Sequence, residues 1–332
     1  MYTLSWIETR KIIRVGEKSY AITIPKKWAN LLGLKPGSSV DILFDKSGII
    51  YIRPRKLGVK RDVSLEASLK IGECGTIIDK CISGCYIEGH DTIVLELPSN
   101  TVLVSEVSSK LPGVVIVEGE DNKVIVKIAI SESIIGFEEV VNRMIKVLET
   151  MYDYIEEFIE KNDEKSASEL LKSDDELDRL FFLGLRLAKR SIITRLLEGD
   201  LGLAKELIDS ALLIRAIEHV GDALDRSTRI LLDSGFNGMQ SKLVELFRLS
   251  RKIIFDALAA YRRANIKMAC KVLERRRELR QMIRSLRRDA AVPIQGVLSE
   301  LDLIAALAED ITDIAVSRYT RLLVDKKKTP SS

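Results

Sequence analysis

The stretch Ala211-Leu212-Leu213-Ile214-Arg215-Ala216-Ile217-Glu218-His219-Val220-Gly221-Asp222-Ala223 sets two carboxylates inside a strongly apolar helical pattern. Glu218 and Asp222 are four residues apart, so an α-helix stacks them on one face, one turn apart. A companion pair, Glu309 and Asp313, lies in Leu307-Ala308-Glu309-Asp310-Ile311-Thr312-Asp313-Ile314-Ala315. Two such pairs in one chain predict a repeated helical unit.

Working outward, strand signals vanish after Ser131. Ile134, Phe137, Val141, Ile145, Leu148, Tyr152, Ile155 and Ile159 recur at spacings of three and four, an amphipathic helix broken at Asn162-Asp163. A second helix is expected over about Ser166 to Leu197 and a third over about Ala204 to Leu232, with Gly235-Phe236-Asn237-Gly238 closing the unit. Three more follow, over about Gln240 to Arg263, Ile266 to Arg288 and Pro293 to Leu323. The expectation is two three-helix bundles, 131–235 and 238–326, inside one helical domain spanning 131–326.

The repeats align on their own residues. Ala167 falls on Ala269, an offset of 102, and Glu218 on Glu309, an offset of 91. The difference predicts about eleven extra residues in the first repeat between its second and third helices, around Glu198 to Gly202, where a longer connection costs little. The same alignment exposes a divergence. Asp174, Asp175 and Asp178 of the first repeat fall on Arg276, Arg277 and Arg280 of the second. With Glu218 and Asp222, the first repeat can assemble up to five carboxylates, a hard oxygen-only environment. In the second, arginine forks can neutralise Glu309 and Asp313 instead. A like-charge pair at this spacing costs only about 0.2–0.5 kcal/mol on an exposed helix, so spacing alone does not demand a cation.

The other end of the chain reads differently. Arg10 to Val15 and Tyr20 to Ile24 predict a hairpin across Gly16-Glu17-Lys18-Ser19, and Pro25 suits the first turn of a short helix that stops at Gly33. Lys35-Pro36-Gly37-Ser38 is a turn. Val40, Ile42 and Phe44 alternate with polar residues, and a strand over 49–52 follows Lys46-Ser47-Gly48 and stops at Pro54. From Met1 to Asp62 there are 13 Lys and Arg against 5 Asp and Glu, whereas the remainder is mildly acidic. One end can therefore meet a polyanion and the other cannot. About fifty residues of this kind cannot bury enough apolar surface alone, which favours an intertwined homodimer over residues 1–60.

Between them, residues 61–130 predict a small α+β module. Asp91 to Leu97 reads as a strand, Asn100 to Leu111 as a helix, and Val114 to Val117 with Lys123 to Lys127 as a hairpin. Gly75 to Cys85 adds another helix, and His90 sits in a loop. No nucleotide-binding glycine signature joins a strand to a helix here. Cys74, Cys81 and Cys85 lack paired C-x-x-C spacing, so small buried thiols are expected rather than a zinc site.

Composition bounds the rest. At 332 residues with 46% apolar and 30% charged, the chain is expected to fold as a multidomain globular protein rather than to remain disordered. It contains no apolar run of about 18 residues and no leader-like N-terminus, so a cytoplasmic location without membrane insertion is expected. Catalysis is not expected. Di-metal bundles need Glu-x-x-His pairs, the only histidines are His90 and His219, and no nucleophile-base spacing stands out.

Two resemblances add to this reading. Residues 9 to 55, through Tyr20-Ala21-Ile22-Thr23-Ile24-Pro25-Lys26 and Leu32-Gly33-Leu34-Lys35-Pro36-Gly37, resemble the SpoVT/AbrB family of swapped-hairpin DNA-binding barrels. That likeness implies a two-chain barrel whose basic residues contact DNA: by position Arg10, Lys11, Arg14, Lys18, Lys26 and Lys27. Residues 132 to 323, through Asp175-Glu176-Leu177-Asp178-Arg179-Leu180 and Ile217 to Ala223, resemble the PhoU family of phosphate-uptake regulators. That likeness implies metal clusters held by carboxylates, here Asp175, Asp178, Glu218, Asp222, Glu309 and Asp313, around a divalent or trivalent ion (Fe, Mn, Mg or Zn). The combination resembles archaeal phosphate-uptake regulators. It implies a dimeric, DNA-binding, phosphate-responsive regulator, or alternatively an adaptor that contacts a phosphate transporter or signalling protein without binding DNA.

Overall fold

The computed structural model describes residues 8–44, 50–55, 66–70, 77–96, 110–118, 123–130, 135–197 and 201–326. The expected helix over 100–111 falls almost wholly outside them, as do the turns at 46–48 and 120–122, Cys74, and the connection at 198–200. The chain divides into two compact units, Met1–Val63 and Ser64–Ser332.

In the first unit β1 (Ile13–Val15) pairs antiparallel with β2 (Ser19–Ala21), Arg14 lying opposite Tyr20. Gly16 turns the hairpin at φ 71°, a conformation open to glycine at little cost. Pro25 immediately precedes α1 (Lys26–Leu31), its φ of −55° already near the helical value. β3 (Val40–Phe44) pairs antiparallel with β4 (Ile50–Pro54), whose last residue is the proline expected to end it. Apolar side chains in this unit stay open. Ile42 is 67% and Phe44 75% exposed, and no described residue of the unit joins a buried hydrophobic cluster.

The second unit opens with a four-stranded sheet ordered β5-β6-β8-β7, formed by β5 (Glu66–Lys70), β6 (Thr92–Glu96), β7 (Val114–Glu118) and β8 (Lys123–Ile128). β5 and β6 run parallel, which requires a crossover, and α2 (Ile78–Ile87) lies between them in the chain. Its Ile78, Ile82 and Tyr86 cluster with Ile93, Leu95, Val124, Val126 and Ile128 of the sheet. β7 and β8 form the expected hairpin, and β8 also pairs antiparallel with β6.

Six helices follow: α3 (Phe137–Lys161), α4 (Glu164–Leu197), α5 (Leu201–Ser234), α6 (Gln240–Arg263), α7 (Ile266–Arg287) and α8 (Val292–Lys326). Asn162 at φ 55° stops α3 where the sequence breaks, and the Asn265 side chain accepts from the Lys267 and Met268 N–H groups to start α7. One continuous core runs through both repeats. Across their boundary Tyr152 meets Phe255 edge-on with centroids 6.1 Å apart, and Phe158 packs on Phe236 of the connecting turn at 5.2 Å. Among the described residues no helix is long and apolar enough to cross a membrane.

The extra length of the first repeat lies in a helix rather than in a connection. α4 has 34 residues where α7 has 22, so its C-terminal turns have no counterpart in the second repeat. Those turns dock the sheet module. The wholly buried Arg186 donates to Tyr86 O at 2.9 Å, His90 O at 2.7 Å and Asp91 Oδ1 at 2.7 Å. Arg190 donates to Gly89 O and Asp91 Oδ1, and Lys189 pairs with Glu88. A buried guanidinium is tolerable only when paired and hydrogen-bonded, so this loop holds the module to α4.

Candidate metal centre and nucleic-acid interface

α4 and α5 approach closely because small residues line their contact. A methyl at Gly221 would overlap Leu177 Cδ2, and one at Gly184 would stand 2.8 Å from Ile214 Cδ1. Leu177 is buried and its neighbour Asp178 is half-buried, so the packing that seats Leu177 against Gly221 brings Asp178 to the carboxylate pair of α5. One carboxylate oxygen from each of Asp178, Glu218 and Asp222 lies within 4.8 Å of the others. It is the only such group among the described residues.

The electrostatics of the trio are those of charges held together against repulsion. Burial, then the Asp222 charge, pushes the Glu218 carboxyl up to about 7. Burial, then Asp222, also raises Asp178. One turn earlier on α4, burial followed by Asp225, Asp178 and Asp222 pushes Asp174 up to about 8. Glu218 Oε2 is buried and among the described residues accepts no hydrogen bond, although His219 Nε2 stands 3.4 Å away. An orphaned buried carboxylate oxygen among raised carboxyls suits a hard cation, which supplies charge and coordination at once. The donors are all oxygen, the set chosen by Mg, Mn or Fe rather than by a thiolate-seeking metal.

Arginines edge the group without filling it. Arg226 donates to Asp222 Oδ2 at 3.2 Å and reaches Glu300 of α8 at 3.0 Å. The buried Asp225 is clasped by Arg229 at 2.7 and 2.9 Å. Asp225 and Glu300 were not singled out in the sequence. An Asp-x-x-x-Arg spacing was visible for Asp225, whereas the Glu300 contact is tertiary and left no local signal.

The remaining predicted ligands stand apart. Asp175 is exposed on α4, outside the trio. In the second repeat Glu309 pairs with Arg276, which also donates to Ala305 O at 2.9 Å, and Asp313 is exposed. Arg280, aligned with Asp178, approaches Asp302 Oδ1 at 3.0 Å. The positions of Asp174 and Asp178 in the first repeat hold arginines paired within the bundle in the second.

On the first unit all six candidate DNA contacts, Arg10, Lys11, Arg14, Lys18, Lys26 and Lys27, are exposed. Arg10 pairs with Glu8, and Arg14 Nε donates to Gly16 O at 3.1 Å within the hairpin.

Residues 13–60 match the family described as antidote-toxin recognition MazE, bacterial antitoxin, and residues 141–228 match the PhoU domain. The first match lies within the first unit, and the second begins in α3 and ends in α5, enclosing the carboxylate trio. Neither a curated protein nor a solved structure matches the chain.

Proposed function

Starting from a chain that joins a MazE/AbrB-like domain to a PhoU domain, we propose a dimeric, cytoplasmic, phosphate-responsive regulator that binds DNA through its first unit. Its helical unit holds a divalent or trivalent metal ion and contacts a phosphate transporter or signalling protein, so that phosphate uptake is controlled. The observation that carries this reading is the Asp178, Glu218 and Asp222 group, with its orphaned oxygen, inside the PhoU match. These three residues bind the metal, with Asp174 and Asp175 as the nearest further acids on α4. Glu309 and Asp313 contribute to a second site only where Arg276 gives way.

Dimerisation follows from the open apolar surface of the first unit. Ile13, Val15, Tyr20, Ile42, Phe44 and Ile50 are each at least half exposed in the single chain. A second copy that interleaves its strands covers them and closes a barrel. Arg10, Lys11, Arg14, Lys18, Lys26 and Lys27 then face the phosphate backbone, which supplies affinity and a steep salt dependence.

The same open surface favours a second reading, in which the first unit only dimerises and the chain is an adaptor. One experiment separates them: duplex binding by the full chain across a salt series, against its own upstream region and a random duplex. The regulator binds, prefers the upstream region, and weakens when Arg10, Lys11 and Arg14 become Gln while remaining dimeric. No binding at any salt concentration overturns the regulator and leaves the adaptor.

A further inference from the structure

Helix α7 is the most basic of the six helices: nine Lys and Arg stand against two Glu between Ile266 and Arg288. Arg287 donates to Ser299 Oγ at 3.2 Å, and the other eight cations divide by direction. Arg275, Arg276 and Arg280 pair with Asp256, Glu309 and Asp302 of the flanking helices. Lys267, Lys271, Arg277, Arg284 and Arg288 are exposed, and among the described residues none has an ion-pair partner. The bundle's own electrostatics therefore account for the inward set and leave the outward set unused.

The outward set is ordered. At 3.6 residues per turn, Arg277, Arg284 and Arg288 fall in one row about 16 Å long, with the neutral Gln281 and Ser285 beside them. Glu274 and Glu278 fall on that same flank, farther toward the N-terminal end of the helix and near the lysines, so the C-terminal part of the row from Arg284 to Arg288 has no acid of α7 beside it. The face carries no large exposed apolar side chain. Protein interfaces draw their affinity from buried aromatic and aliphatic anchors, and helices that lie on membranes insert apolar side chains. A charge-only face suits a ligand whose affinity is itself electrostatic, and guanidinium groups take phosphate oxygens in pairs.

We propose that the outer face of α7 is a second, sequence-independent contact surface for duplex DNA, with Arg277, Arg284 and Arg288 on backbone phosphates and Lys267 and Lys271 adding attraction. This rests on the reading of the chain as a DNA-binding regulator and extends it to the helical unit. Base preference stays with the first unit, because phosphate contacts position a protein without reading sequence. The α7 row raises affinity for any duplex and holds the protein near its target.

The test compares three full-length proteins on the upstream duplex and on a random duplex across a salt series: wild type, Arg277→Gln/Arg284→Gln/Arg288→Gln, and Arg10→Gln/Lys11→Gln/Arg14→Gln. An Arg-to-Lys triple at the α7 positions controls for side-chain loss. The α7 variant is expected to lose roughly tenfold or more on both duplexes alike, with the log–log salt slope falling by about 0.9 per contact removed. The Lys triple is expected to keep the wild-type slope. Unchanged affinity and slope in the α7 variant overturn the proposal while leaving the first unit's DNA binding intact. Binding lost in the α7 variant but untouched in the hairpin variant supports the α7 surface and overturns the first unit's role. No binding by wild type overturns both.

Discussion

The two repeats share a three-helix frame and a single core, yet their second helices carry opposite charge to the same place. In the first repeat α4 brings Asp178 to Glu218 and Asp222. In the second, α7 brings Arg276 to Glu309. One repeat has stored repulsion that an added cation would relieve, and the other has built its cation into the chain. Duplicated folds can thus separate a ligand site from a structural ion pair by exchanging a few charges, because the helix spacing that gathers acids serves arginine equally well.

That contrast predicts opposite signs for one substitution on the second helix of each repeat. Arg276→Met leaves Glu309 without its partner and removes the additional donor that Arg276 supplies to the Ala305 carbonyl, in a half-buried setting. A loss of about 1–3 kcal/mol is expected by denaturant unfolding. Asp178→Asn removes a charge from a crowded group and should stabilise the metal-free protein by about 1 kcal/mol. Equal losses at both positions would break the comparison.

Backbone approach gives the next test. Gly221 aligns with Thr312. Gly221→Ala drives a methyl into Leu177 and is expected to cost about 1–3 kcal/mol while moving α4 away from the trio. Thr312→Ser keeps the hydroxyl that donates to Ala308 O and should cost about 1 kcal/mol through its lost methyl. Metal affinity should fall only in the Gly221 variant, as calorimetric titration would show.

A comparable effect falls on pH dependence. Glu218 moves from an ordinary 4.5 up to about 7 and Asp174 from 3.8 up to about 8, so the folded state holds protons that the unfolded chain has released. Stability of the metal-free protein therefore falls as pH rises from about 4 to about 8, by about 1–2 kcal/mol once solvent screening is allowed for. Saturating metal should flatten that slope, since the bound ion replaces the protons. A metal-free protein whose stability rises through this window, measured by thermal unfolding at fixed ionic strength, would contradict the crowding of the first repeat.

Much of this was legible in the sequence, for identifiable reasons. The helices emerged within a few residues because amphipathic stripes and caps such as Asn162 and Asn265 are local signals. Glu218 and Asp222 are legible as a pair at helical spacing, and Asp178 as one of three acids, with Asp174 and Asp175, on the helix that faces them, but which of the three closes on the pair is a tertiary matter. β5 went unread: Glu66-Ala67-Ser68-Leu69-Lys70 is a sheet-edge strand with one large apolar residue, too short for a period of two to show. The extra turns of α4 are not legible as helix, because an alignment offset locates added length but not its conformation. Arg186 gave no sign of burial, since arginine is ordinarily exposed and its partners lie about a hundred residues away.

The most direct measurement is the metal stoichiometry of the full-length protein by elemental analysis and Mn titration, for wild type, Glu218→Ala/Asp222→Ala and Glu309→Ala/Asp313→Ala. The account predicts bound metal in wild type, its loss in the first variant and its retention in the second. Metal that survives the first variant, or that is lost only in the second, would contradict it.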